Sequence, residues 1–181
     1  MNIKVLEKHY GCMPIVFEEG DWVDLYTAKE VKLKAPQANK MHIKNKGKKT
    51  EAEVRTRDVD FDFALIPLGV AMSLPSGFEA HVLPRSSTFK KYGIIMVNSE
   101  GIIDEAYCGD NDEWKFPAIA TRDIVIPSGT RIAQFRIQLS QKANVWQKLK
   151  WLFSSGINLQ KVSSLGNPDR NGFGSTDATH K

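Results

Sequence analysis

Short apolar runs broken by turn formers dominate this chain, a pattern that predicts strands rather than helices. Asn2 to Leu6 alternates enough for an entry strand, and Trp22 to Tyr26 is a second apolar run carrying one acid, Asp24. Phe61 to Met72 and Phe78 to Leu83 predict two β-rich runs separated by Leu74-Pro75-Ser76-Gly77, with Pro and Gly placed for a turn. Ile94 to Val97, Gly101 to Ile103, Glu113 to Ile126 and Thr130 to Leu139 continue the series. From Ile132 onward the alternation is that of a half-buried strand.

Helical signals are few. Ser87-Thr88 opens a short helix through Lys91-Tyr92 that Gly93 ends, and Asn144 to Gly156 is the one clear helical candidate. There Asn144 is the N-cap, Val145, Leu149, Leu152 and Phe153 share one face, and Gly156 is the stop. That face is expected to pack on the body or on a neighbouring subunit. Many short strands, Gly and Pro turns and little helix predict an all-β barrel or sandwich.

With 181 residues the chain suits one domain, spanning 1–166, with a Lys-rich insertion at 34–60 and the helix at 144–156. Residues 167–181 are polar and Gly-rich and predict a flexible C-terminal arm. No apolar run approaches the roughly 18 residues of a membrane span, and MNIKVLEKHYG lacks a basic-then-apolar secretion signal, so a cytoplasmic protein is expected. Cys12 and Cys108 form no CxxC pair, and His9, His42, His81 and His180 show no HxxxH spacing. A disulfide framework and a dedicated transition-metal site are both disfavoured. Residues 32 to 57 hold nine Lys and Arg against Glu51 and Glu53, a local charge of +7 in a chain whose total is +4. The remainder is therefore net acidic, and nucleic-acid binding would have to rest on the 34–60 insertion, which reads as a solvated loop or hairpin and could equally meet a protein partner, as could the helix at 144–156.

Gly101-Ile102-Ile103 runs into Asp104, then through Tyr107 to the turn formers Gly109-Asp110-Asn111-Asp112. By itself an Asp at a strand end is a turn residue. Pro84-Arg85-Ser86-Ser87-Thr88 places a planar guanidinium and three hydroxyls at another strand end, a set suited to phosphate oxygens and equally to a helix N-cap. Together with Asp24-Leu25 and Ala28, Gly129-Thr130-Arg131-Ile132-Ala133-Gln134 and Arg170-Asn171-Gly172-Phe173-Gly174-Ser175-Thr176, these stretches resemble, in order and spacing, the five-motif signature of the homotrimeric dUTP diphosphatases (dUTPases).

The resemblance implies a jelly roll assembled as a homotrimer with active sites shared between subunits. One subunit supplies the hairpin, here Asn98 to Tyr107, a second the phosphate-binding motif and a third the arm. The implied reaction is Mg2+-dependent hydrolysis of dUTP to dUMP and diphosphate, which keeps uracil out of DNA and supplies dUMP for thymidylate synthesis. Asp104 would deprotonate the attacking water, with Gln134 near the α-phosphate. Arg85, Ser86 and Ser87 would bind phosphate oxygens, and Arg170, Ser175 and Thr176 would grip the γ-phosphate, with Gly174 letting the arm close. Asn98 and the strand backbone at Gly101 and Ile103 would read uracil, Tyr107 would press on the deoxyribose, and Asp24 would approach Mg2+ through water. Phe173 would cover the base, with Trp114 and Phe116 as other candidates because the arm is shorter than the family's usual spacing. Two alternatives stand beside this. The related dCTP deaminases need a glutamate on the strand after the hairpin, where this chain reads FPAIA, and a non-catalytic nucleotide-sensing protein would bind a partner through its insertions.

Overall fold

The computed structural model describes residues 1–18, 20–38, 59–154, 156–170 and 172. β1 (Asn2–Glu7) buries Ile3 and Val5 and turns Asn2 and Lys4 to solvent, as the two-residue period of a strand requires. It pairs antiparallel with β7 (Val70–Ser73) and parallel with β14 (Asn158–Val162). The sheet that positions the candidate site holds β2 (Val23–Tyr26), β8 (Phe78–Pro84), β10 (Gly101–Ile103) and β13 (Arg131–Leu139), in the order β10-β8-β13-β2. A third sheet holds β6 (Phe63–Pro67), β9 (Ile94–Met96) and β11 (Lys115–Ala120), and β3 (Val31–Leu33) pairs with β12 (Ile124–Ile126). Between these layers lie Phe78, Val82, Trp114, Phe116 and Phe135, all essentially inaccessible to solvent. Trp114 meets Phe135 edge to face at 5.1 Å, an arrangement that contributes about 0.5–1.5 kcal/mol beyond area burial. The all-β jelly roll expected from the sequence is the fold observed.

The architecture departs from the expected elements in four places. Phe61 to Met72 is split at Leu68-Gly69 into β6 and β7, which belong to different sheets. Residues 98–107 are not a paired hairpin: β10 ladders with β8 while β9 ladders with β11, so the segment bridges two sheets. β14 was unforeseen because it is held by its ladder to β1, with only Leu159 and Val162 partly buried. The C-terminal helix α2 spans Val145–Leu152 and ends at Phe153, so Gly156 lies beyond it.

Asn144 caps α2 with a reciprocal box: its side chain accepts from the Gln147 N–H at 2.9 Å, and the Gln147 side chain accepts from its N–H at 2.7 Å. The face toward the body carries Gln147, which donates to the Ser76 hydroxyl, and Trp151, whose ring lies 5.6 Å from that of Phe78. Val145, Leu149, Leu152 and Phe153, expected to pack, stay exposed on the single chain, Phe153 at 82%. The short helix α1 (Thr88–Tyr92) is closed by Gly93, whose φ of 65° lets its N–H reach the Phe89 carbonyl. At the insertion, β4 (Gln37–Ala38) and β5 (Val59–Asp60) form an antiparallel ribbon at its base, and 39–58 lie outside the described residues.

Candidate active site

Two clusters of candidate residues form at opposite ends of β8. At its C-terminal end, Arg85 leaves the strand with its N–H on the Ile132 carbonyl, which ties the Arg-Ser-Ser turn to β13. The Arg85 side chain donates through Nε to Asp24 Oδ1 at 2.7 Å, and Arg131 donates to Asp24 Oδ2 at 3.1 Å. Asp24 is 6% exposed and sits opposite Gln134 in the β2–β13 ladder. Its carboxylate is thus spent on two guanidinium groups and orients Arg85, a role the isolated Asp24-Leu25 motif does not reveal. Gln134 donates to the Pro84 carbonyl at 3.3 Å, which aims it at the same turn. Ser86 is exposed and Ser87 half-buried; the Ser87 side chain makes no cap bond, leaving its hydroxyl for a ligand. Thr88 is committed elsewhere, donating from a buried position to the Ile132 carbonyl at 2.7 Å.

At the other end stands Asp104, just past β10. Oδ1 accepts from the Ala106 N–H at 3.0 Å, an Asx turn, while Oδ2 takes an ion pair with Arg170. Both partners are about half exposed, so a water or phosphate can reach them. The ion pair with Asp104 pushes the Arg170 guanidinium still higher than its ordinary value. Tyr107 turns its hydroxyl onto the Glu113 carbonyl at 3.1 Å; burial, with Asp112 and Glu113 adding to it, pushes its phenol up to about 12. Tyr107 is therefore a neutral flat surface at any ordinary pH, suited to packing and not to proton transfer. A cavity of about 500 Å³ opens beside Asp104, lined among others by Glu79, Glu105, Lys142 and Arg170.

The ladder register separates the clusters. Ile103 pairs with Ala80 and Gly101 with Val82, so Asp104 lies beside Glu79 while Arg85 is six residues further along β8. At 3.2–3.4 Å per residue that is about 20 Å, too far for one triphosphate to touch both in one chain. Asn98 lies in the exposed turn before β10, next to Ser99 at φ 60°. Gly101 and Ile103 are half-buried on β10. Trp114 and Phe116, two of the candidate base covers, are wholly buried in the core and are removed from that role. Phe173, Gly174, Ser175 and Thr176 lie outside the described residues. No trio of His, Cys, Asp or Glu suited to a metal ion occurs among the described residues. The expected approach of Asp24 to Mg2+ does not fit a carboxylate whose oxygens both face arginines.

Two residue groups were named from the sequence without the contacts they make: Arg131, whose pairing with Asp24 needs β2 beside β13, and the Gly109 to Asp112 turn, which meets residues 164–170. Only the density of acids in GDND hinted at the second.

A jelly roll with an Arg-Ser-Ser turn at one strand end and an Asp-bearing loop at another has the parts of a phosphate-binding β protein, and comparison with known proteins gives its family. The dUTPase family model matches residues 55–150. The chain is 44% identical over 159 residues to the SPbeta prophage-derived deoxyuridine 5'-triphosphate nucleotidohydrolase YosS of Bacillus subtilis (strain 168), covering 88% of this chain and 85% of that protein. It is 39% identical over 117 residues to the deoxyuridine 5'-triphosphate nucleotidohydrolase of Rickettsia akari (strain Hartford), covering 64% and 69%. Among solved structures, the dUTPase from Streptococcus mutans shares the fold at a TM-score of 0.58 and 16% identity, over 80% of this chain and 99% of that one. The dUTPase from phage phi11 of S. aureus does so at 0.56 and 16%, over 79% and 93%. The chain belongs to the dUTPase family.

Proposed function

We propose that the chain hydrolyses dUTP to dUMP and diphosphate, with Mg2+ carried on the triphosphate, in a homotrimer whose active sites are shared between subunits. The observation that carries the shared site is the separation of about 20 Å between the Arg85 and Asp104 clusters. Each is chemically half of a nucleotidohydrolase. One holds a fixed guanidinium and free hydroxyls for phosphate, and the other a water-accessible carboxylate. A neighbouring copy brings its Arg85 to the Asp104 of the next. The dUTP specificity rests on family membership and on YosS, whose name states that substrate.

In this reading Asp104 holds the attacking water and takes its proton as general base. Arg85, kept in place by Asp24, binds phosphate oxygens with Ser86 and Ser87 and offsets charge developing there. Gln134 stands beside them with an amide to orient the α-phosphate. Arg170, paired with Asp104 in this structure, turns to the γ-phosphate once one is in reach and leaves the carboxylate for water. Tyr107 packs on the sugar, and Asn98 with the β10 backbone reads the base edge. Mg2+ supplies neutralisation of the triphosphate. The deaminase alternative lacks its glutamate, since β11 is KFPAIA.

The test is incubation of the pure protein with each dNTP and UTP, followed by separation of mono- from triphosphates. dUTP alone should turn over appreciably, because a mismatched base strands a buried polar group. Comparable loss of dCTP, or release of ammonia, would overturn the assignment.

A further inference from the structure

The loop that carries Asp104 starts where its backbone ladder stops. The β10–β8 pairing ends at Ile103 and Ala80, and Asp104 to Tyr107 then closes a turn on itself. The Tyr107 N–H donates to the Asp104 carbonyl at 3.1 Å and the Ala106 N–H to Asp104 Oδ1 at 3.0 Å. Both bonds lie inside the turn, so they shape it without fixing where it sits. Glu105 makes the outward attachment. Its exposed side chain runs back past the end of the ladder, and Oε2 accepts from the N–H of Gly77, a buried residue just before β8. A buried N–H left without an acceptor is costly, so this bond is more than a surface contact.

Gly77 is itself held from the other side. Its carbonyl accepts from the Ser140 N–H at 2.9 Å, just past the end of β13. Its φ of 83° and the close approach of α2 both require glycine, since a Cβ there would stand 2.3–2.6 Å from the Gln147 side-chain amide. Gln147 is fixed in turn by the Asn144 cap and the Ser76 hydroxyl. Gly77, Asp104, Glu105 and Gln147 all line the cavity beside Asp104.

We propose that Glu105 is a positioning residue for the Asp104 turn, tethering it through the Gly77 N–H to an anchor that α2 holds in place. The tether acts by reach and by an acceptor atom, not by charge. Its catalytic meaning rests on the dUTPase reading, whereas the contacts do not.

The test compares Glu105→Ala, Glu105→Asp and Glu105→Gln in the full chain. Glu105→Ala removes the acceptor, and Glu105→Asp keeps the charge but stops one methylene short of Gly77. Both should lower kcat on dUTP by about 10- to 100-fold with KM little changed, the scale of a misplaced reacting group. Glu105→Gln keeps the length and an acceptor oxygen and should stay within a few-fold of wild type. Added to Asp104→Asn, Glu105→Ala should cause little further loss, because it acts through that carboxylate. Full kcat in Glu105→Ala, a Glu105→Gln as slow as Glu105→Ala, or losses that multiply in the double variant would overturn the proposal. Deuterium uptake by peptides carrying Gly77, read by mass spectrometry, follows the tether without activity. It should be faster than wild type in Glu105→Ala and Glu105→Asp and unchanged in Glu105→Gln, and equal uptake in all four proteins would overturn the tether. Should Glu105→Ala fail to fold, Glu105→Asp against Glu105→Gln carries the same comparison. A wild type inactive on dUTP, with uptake that follows the acceptor, would instead remove the proposed function and keep the tether.

Discussion

At the residue scale, two carboxylates illustrate how partners decide what the same group does. Asp104 has one oxygen on a backbone N–H and one on a half-exposed guanidinium, and the proposed mechanism uses it as a base once that guanidinium turns to phosphate. Asp104→Asn should lower kcat by about 10²–10⁴ with KM little changed, because the amide still binds water but cannot take its proton. Steady-state kinetics with dUTP checks it, and a variant within a few-fold of wild type would remove Asp104 from the chemistry. Glu7 is a structural counterpart. Its Oε1 accepts from the Gly11, Cys12 and Met13 N–H groups at 2.8, 3.1 and 3.2 Å, and its Oε2 pairs with Lys161. The bond to Lys161, with the backbone bonds opposing burial, holds its carboxyl below the usual range. A folded pKa below the unfolded one gives stability that is full above the unfolded value and lost as pH falls through the folded one. Glu7→Gln should therefore cost about 1.5–3 kcal/mol near neutral pH, the scale of hydrogen bonds to a charged group. Urea titrations should show that gap closing as the pH falls below the ordinary glutamate range and wild-type Glu7 protonates. A gap independent of pH would show that charge is not what Glu7 contributes.

At the element scale, legibility followed the kind of force that holds each piece. β1, β8 and β13 were readable because one face is buried and the side-chain period is two. β14 was not, because a ladder to β1 leaves little trace in its side chains. The 98–107 segment looked like a hairpin since its two halves are adjacent in sequence, yet their partners, β8 and β11, come from elsewhere. The site was legible as a set of motifs but not as a geometry: Asp24 was visible, whereas its guanidinium partners come from positions 85 and 131. In α2 the helix and its Asn144 cap could be read, but not which face turns inward, since Trp146 and Trp151 compete with the aliphatic arc. Trp151→Ala should destabilise the chain by about 1–3 kcal/mol through its lost contact with Phe78, while Phe153→Ser, at an exposed position, should stay within about 0.5 kcal/mol. Chemical denaturation compares them, and a larger loss for Phe153→Ser would mean that the outer arc is covered in the assembled protein.

At the scale of the whole molecule, the register of β8 divides the proposed site between copies and the arm root joins two of its parts within one copy. Light scattering should give three times the 20.3 kDa chain mass. Subunit mixing then tests how each site is composed. A chain with Arg85→Ala keeps its own Asp104, and a chain with Asp104→Asn keeps its own Arg85, so each homotrimer should be nearly inactive. After co-refolding at equal amounts, a site that takes Asp104 from one copy and Arg85 from the next is intact in roughly a quarter of cases by random assortment around a closed ring. Activity should return to about that fraction of wild type. The Asp104→Asn chain mixed with Arg170→Ala should behave differently. The structure pairs Arg170 with Asp104 inside one chain, so no mixture of these two restores both groups to one pair. Trimeric dUTPases, by the resemblance, would take the arm from a third subunit, and that arrangement predicts recovery in both mixtures. Recovery only in the first favours an arm rooted in its own chain. Recovery in neither, with trimers formed and wild-type controls active, would show that Arg85 and Asp104 do not share a site across subunits and would overturn the composition proposed for it.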